Sequence, residues 1–321
     1  MALTFSFRRP VSIRVMRRAA LLIPGAILTM WLQSSAAVAD THILFIGNSF
    51  TFADHSPVNF YHPETVTDLN HEGIGGVPAL FKAFTQQAGL HFDVSLETSP
   101  GKGLDFHFKN KADLIGKPWD NVVMHGFSTL DQAKPGDPTL LIASVKQVAT
   151  LLHDKNPNVD IRLMATWTRA DQTYTPKGHW YGKPIDAMEK EVRAGYDLAA
   201  ANCPFIKGVI PVGEAWNRAI QTGFADANPY DGIEANKVDL WAYDHYHGST
   251  FGYYLEALTI FGAVTGLDPR SLGNGERSAY ELGLSPQQTG TLQQIAYDQL
   301  VASGNTGLKP FTPTPIRINS R

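Results

Sequence analysis

The sequence predicts an α/β fold: a three-layer sandwich whose central, mostly parallel sheet of five strands is flanked by helices. Short apolar runs such as Ile43-Leu44-Phe45-Ile46 lack the alternation of a half-exposed strand, which suits parallel strands covered on both faces. Between these runs stand segments with apolar residues three and four apart, the spacing of a helix that buries one face. No internal repeat, heptad or low-complexity block competes, and 321 residues at 43% hydrophobic content can build a large core.

The first strand is His42 to Ile46, and Gly47-Asn48-Ser49 ends it. A loop with Pro57, Pro63, His55, His62 and His71 runs from Thr51 to Gly75; so long a loop beside a strand end is expected to cover a site. Gly76 to Gly89 is predicted helical, with Val77, Leu80, Phe81 and Phe84 on one face. His91 to Leu96 is the second strand and Asn121 to Met124 the third. Asp137-Pro138 caps a helix running to Asp154, because proline's fixed φ and missing N–H suit the first helical position. Asp160 to Trp167 is the fourth strand, Ile185 to Ala199 a helix, Phe205 to Val212 the fifth strand, and Gly213-Glu214-Ala215-Trp216 starts a short helix. Phe251, Tyr254, Leu255, Leu258 and Phe261 define a core-facing helix, and Ser285-Pro286 caps a last one ending near Ser303. A single α/β domain is expected over residues 40–305, followed by a loose Pro-rich tail, 306–321.

Residues 1–39 read as a signal peptide. Arg8, Arg9, Arg14, Arg17 and Arg18 precede an apolar run from Ala19 to Leu32, and Ala37-Val38-Ala39 has the small-x-small form of a cleavage site. The run is short for a membrane span. Export, with no stable membrane anchor after cleavage, is the expectation; the arginine pairs leave a twin-arginine route open. The leader holds five arginines and no acid, so cleavage leaves 22 basic against 30 acidic residues, a formal charge of −8. That sign argues against nucleic acid or an anionic membrane as partner. The single cysteine, Cys203, excludes an internal disulfide and is expected to be a buried, inert thiol.

Ser49 stands beyond the carboxyl end of a buried strand, where α/β sheets bind their ligands. Far along the chain, Asp244 and His247 are three residues apart, a spacing that lets a carboxylate hold an imidazole in one tautomer. A serine hydroxyl needs such a base to become a nucleophile. Trp180 and Tyr181, with Tyr174 and His179, lie in the loop from Thr168 to Lys183 and are candidates to stack on a sugar ring. Asp244, His245, His247 and a loop histidine could ligate a metal, but no further ligand stands at a recognisable spacing. The acids of the Gly223–Tyr243 loop lack EF-hand order and read as solvated. No metal and no cofactor are expected.

Gly47-Asn48-Ser49-Phe50 and Asp244-x-x-His247 together resemble the first and last sequence blocks of the SGNH (GDSL-like) hydrolases, over about 200 residues. The resemblance implies the flavodoxin-like SGNH fold and a serine esterase in which Ser49 attacks, His247 acts as base and then acid, and Asp244 orients the imidazole. It further implies an oxyanion hole built from the N–H groups of Ser49 and of Gly101, with Gly103 as the alternative. Where many such enzymes carry an Asn in a Gly-x-Asn-Asp block, this chain reads His125-Gly126-Phe127-Ser128. His125 or Ser128 would have to supply that donor, and His125 is favoured because it directly follows the strand. The substrate expected is a small-molecule or carbohydrate ester, with an acetyl group favoured and lipid and aryl esters open. The alternative is a non-catalytic carbohydrate-binding or scaffold protein on the same fold.

Overall fold

The computed structural model describes residues 1–6 and 40–314. The predicted leader therefore lies almost wholly outside the described residues. Six strands form one sheet: β1 (Thr41–Gly47), β2 (Thr67–Asp68), β3 (Phe92–Thr98), β4 (Asn121–Met124), β5 (Asp160–Ala165) and β6 (Ile206–Pro211). Their order is β2-β3-β1-β4-β5-β6, and every pairing is parallel. The expected five strands are all present. The sixth, β2, is a two-residue edge strand inside the long loop after Ser49, too short to leave a periodic signal.

Alternation along β1 splits the core into two layers. Ile43 and Phe45 face one layer, with Phe81, Trp216, Tyr254 and Leu258, while Leu44 and Ile46 face the other, with Val145, Val148, Val192 and Tyr196. The first layer is covered by α1 (Gly76–Gln87), α6 (Val212–Gln221), α7 (Thr250–Thr265) and α9 (Pro286–Ala302). The second is covered by α2 (Leu104–Ile115), α3 (Thr139–Lys155) and α5 (Ala187–Ala201). Two single-turn helices, α4 (Ala170–Tyr174) and α8 (Arg277–Glu281), complete the described α-helices, and three short 3-10 turns lie at Pro57–Phe60, Pro63–Thr65 and Pro269–Leu272. Helix α2 escapes sequence reading because it buries only Leu104, His107 and Ile115, too few for a stripe.

Helix ends follow the residues that can satisfy them. The Ser249 hydroxyl accepts from the N–H groups of Phe251 and Gly252 at the start of α7, and Gly266, at φ 67°, ends it in the left-handed conformation. Ser285 and Gln288 form a reciprocal capping box on α9, as the sequence predicts at that end. Cys203 is buried and unpaired, as expected. Among the described residues no helix is long and apolar enough to cross a membrane.

The expected looseness of the tail fails for its first part. Lys309 donates to the carbonyl of Gly266 at 2.9 Å and accepts from Asp268 N at 2.8 Å, and Thr314 N donates to Gln87 O at 2.7 Å. Phe311 packs on Phe261, with ring centroids 6.0 Å apart. Apolar contact and backbone pairing thus hold Lys309–Thr314 on the body despite its prolines. Residues 315–321 lie outside the described part.

Candidate active site

Strand order reverses direction between β1 and β4, and the crevice beyond their carboxyl ends is where such sheets bind ligands. Ser49 stands just beyond β1 in that crevice. It is 5% exposed, more enclosed than a serine at a bare strand end. Its carbonyl accepts from Asp54 N at 2.9 Å and from the Tyr253 hydroxyl at 3.4 Å, which fixes the turn. Asn48 braces the same turn. Its Nδ2 donates to the carbonyls of Lys102 (3.0 Å) and Gly126 (3.1 Å), and its Oδ1 accepts from Phe50 N. One side chain therefore ties the β1, β3 and β4 loops together. Among the described residues, the backbone N–H groups of Ser49 and Gly101 make no hydrogen bond. Gly101, at φ 63°, is solvent-exposed in a left-handed turn.

Asp244 and His247 meet as their spacing predicts. His247 Nδ1 lies 2.6 Å from Asp244 Oδ2, and Asp244 Oδ1 accepts from the N–H groups of Tyr246 and His247. Burial pushes the Asp244 carboxyl up, but these hydrogen bonds outweigh it and hold the group well below the usual carboxylate range. The carboxylate accepts from Nδ1–H, so Nε2 is the basic nitrogen. Nε2 is buried and has no partner among the described residues.

The imidazole is boxed in by aromatic rings. Phe50, the residue after Ser49, meets it edge-on at 5.7 Å, and Tyr246 lies tilted at 4.1 Å. His55 stacks flat on it at 4.7 Å with an interplanar angle of 2°. Phe50 itself stacks on Trp167 at 4.1 Å, and Trp167 on Trp216 at 4.3 Å. Trp167 and Trp241 also donate to the carbonyls of Tyr246 and Thr168, which pins the His247 loop to the end of β5.

His125 does not serve as the substitute oxyanion donor. It is 1% exposed, and both ring nitrogens are engaged. A carbonyl can only accept, so Nδ1–H donates to Gly126 O at 3.0 Å, and Nε2 accepts from the Thr51 hydroxyl at 2.8 Å. Burial is the main cause that lowers its pKa to about 4. The ring fits because Gly47 has no side chain: a Cβ there would stand 2.3 Å from His125 Nε2 and 2.3 Å from Thr51 Oγ1. Ser128 is the remaining side-chain donor of this loop. Its hydroxyl accepts weakly from Arg169 at 3.5 Å, which leaves its own proton free. The Arg169 guanidinium pairs with Asp171 and lies over the Tyr246 ring, 3.5 Å from its centroid.

Trp180 is not a sugar platform either. It is 3% exposed in the core, and its indole N–H donates to Glu191 at 2.7 Å. A large apolar ring with one polar tip is well satisfied in that way. Tyr181 is 54% exposed on the same loop.

The metal reading changes members but gains no support. Asp54, His55 and His247 place potential ligand atoms within 4.8 Å of one another, with no part for His245. An imidazole lone pair lies in the ring plane, and two flat-stacked rings have separate parallel planes, so one ion cannot lie in both. The His245 ring packs instead against Tyr230 at 4.3 Å. In the acidic loop, Asp226 is buried and accepts from the N–H groups of Asn228 and Glu234. That is a loop brace rather than a solvated acid.

No protein-family model and no curated protein sequence matches the chain. Solved structures do resemble it. A DUF4886 family protein from Bacteroides uniformis superposes with a TM-score of 0.56 at 18% identity, covering 83% of this chain and 96% of that one. A protein described as a GDSL-like lipase from Parabacteroides merdae gives 0.51 at 17% identity, covering 71% of this chain and 96% of that one. At such identities the likeness establishes the fold.

Proposed function

We propose that this chain, which has the GDSL-like (SGNH) hydrolase fold, is an exported serine esterase that cleaves carboxylic esters, acetyl esters foremost, with Ser49, His247 and Asp244 as its triad. The observation that carries the reading is the 2.6 Å Asp244–His247 hydrogen bond. It leaves a buried basic Nε2 in a box whose wall, Phe50, is the residue next to Ser49.

In this reading, His247 Nε2 takes the Ser49 hydroxyl proton as Oγ attacks the ester carbonyl. The oxyanion is bound by the N–H groups of Ser49 and Gly101 and by the Ser128 hydroxyl. The imidazolium, stabilised by ionised Asp244, gives its proton to the departing alkoxide. Water then enters, His247 again acts as base, and the acid is released from Ser49.

The test is labelling with a fluorophosphonate and turnover of p-nitrophenyl acetate. Modification of Ser49 alone, with both signals lost in Ser49→Ala, supports the triad. Turnover that persists in Ser49→Ala overturns it, and a chain that neither labels nor turns over is a binding protein on an esterase fold.

A further inference from the structure

A groove of about 420 Å³ opens beside His55, lined by Asp54, Ser56, Asn59, Phe60 and Tyr243. The His55 ring stacks on His247 and also packs against Tyr243, 5.0 Å away. Asp54 is tied by its N–H to the Ser49 carbonyl, and one Tyr253 hydroxyl reaches the carbonyls of both. The groove therefore begins on the His247 side of the nucleophile.

That side has a chemical meaning. The imidazolium must protonate the leaving alkoxide, so the alcohol half of an ester lies next to His247, while the carbonyl oxygen points to the oxyanion donors. Whatever occupies the groove is the alcohol half.

The walls specify what kind of alcohol. Phe60 is 75% exposed and Tyr243 79% exposed, among the most exposed large hydrophobic side chains of the described residues. Neither ring is used by the core. Between them stand polar acceptors with capacity to spare. Asn59 spends its Nδ2 on the Phe52 carbonyl at 2.8 Å, which leaves Oδ1 open, and Asp54 Oδ1 accepts from His55 N at 2.9 Å, which leaves Oδ2 open. Flat apolar faces with hydroxyl acceptors between them match a pyranose ring, which presents C–H faces and an edge of hydroxyl groups. An alkyl chain would leave those acceptors unpaired on binding, at a cost.

Resting on the esterase reading, we infer that the groove between Phe60 and Tyr243 is the subsite for the sugar ring of an acylated pyranoside, so that the enzyme deacylates carbohydrate.

Two measurements test this. The first needs no turnover: saturation-transfer NMR of methyl β-xylopyranoside with the parent protein and with the Phe60→Ala/Tyr243→Ala variant. Both rings are exposed, so the variant keeps its core. Ring-proton transfer in the parent that is lost in the variant supports the subsite. No transfer in the parent, or equal transfer in both, overturns it. The second measurement is selectivity, the ratio of kcat/KM for monoacetylated methyl xylopyranoside to that for ethyl acetate. Loss of either aromatic wall is expected to lower this ratio about tenfold, the scale of one aromatic stacking contact. An unchanged ratio overturns the inference, as does a loss confined to octyl acetate, which would make the groove an alkyl site. A parent that hydrolyses none of these esters sinks the esterase reading, and the NMR result still decides the groove.

Discussion

The Thr51 hydroxyl donates to His125 Nε2 at 2.8 Å inside a pocket that exists because Gly47 has no side chain. The bond fills the acceptor lone pair of the ring, and Gly126 O takes its proton. His125 is thereby a neutral strut between the β1 and β4 loops. Protonating it would leave Thr51 and an imidazolium in conflict in a buried site.

Stability should therefore fall on acidification. The folded-state pKa of His125 is lowered to about 4 from the ordinary 6.5, so between these values the unfolded chain binds the extra proton. The contribution is complete above pH about 6.5 and lost as pH falls toward 4, at a scale of about 3 kcal/mol for a fully buried group. Urea unfolding of the parent and of His125→Asn at several pH values checks this. The stability gap between them should shrink as pH falls from about 7 to about 4; a constant gap would show that His125 does not titrate with folding.

Asp244 is held ionised across the working range by its hydrogen bonds, so it does not itself switch in neutral solution. Asp244→Asn should lower kcat by about 1000-fold or more, because an amide can present its N–H to Nδ1 and favour the wrong tautomer. A variant within tenfold of the parent would remove Asp244 from the triad.

Asn48 is predicted to matter through three partners at once. Asn48→Ala frees the carbonyl of Lys102 and the Phe50 N–H, and leaves the Gly126 carbonyl to His125 alone. The cost in stability should be about 1–3 kcal/mol, because partly buried groups lose their partners. The turn that aims the Ser49 N–H also loosens, so kcat should fall more steeply than KM rises. Thermal melts together with steady-state kinetics separate the two effects; a melt shift without any change in kcat would confine Asn48 to the scaffold.

His55 is expected to hold the face of His247. His55→Ala should lower kcat about tenfold by opening one wall of the box, whereas His55→Phe keeps a flat ring and should restore most of it. If the Phe variant is as slow as the Ala variant, the imidazole nitrogens of His55 matter and the wall argument fails.

The parts of this molecule legible in its sequence are those set by local pattern. Ile43 to Ile46 announces a strand covered on both faces, and Asp244-x-x-His247 closes in one tight loop because the carboxylate also caps two backbone N–H groups of that loop. What was not legible depends on partners distant in the chain. His125 follows its strand as expected, but pairing of Ile46 with Met124 sets it beside Gly47, where an inward ring meets Thr51 rather than the crevice. Trp180 reads as a loop aromatic until Glu191, from a neighbouring helix, takes its N–H. The stack of His55 on His247 joins residues 192 positions apart and has no local signature.

The sequence breaks the expected oxyanion block at His125-Gly126-Phe127-Ser128. With both His125 nitrogens engaged, Ser128 is the one side-chain donor left among His125-Gly126-Phe127-Ser128. Its residue is 7% exposed, and its oxygen already accepts from Arg169, which steers the hydroxyl proton away from the guanidinium. A donor aimed at charge that develops only on attack lowers the barrier without tightening substrate binding. Ser128→Ala should therefore reduce kcat about 100-fold with KM nearly unchanged. Arg169→Met should have a smaller effect of the same kind, by releasing the hydroxyl from its orientation. His125→Ala should instead cost stability through the lost strut and the cavity beside Gly47. Steady-state kinetics on one acetyl ester, paired with melting curves for each variant, distinguishes these roles. A Ser128→Ala enzyme with kcat within threefold of the parent would leave the hole to the backbone N–H groups of Ser49 and Gly101 alone.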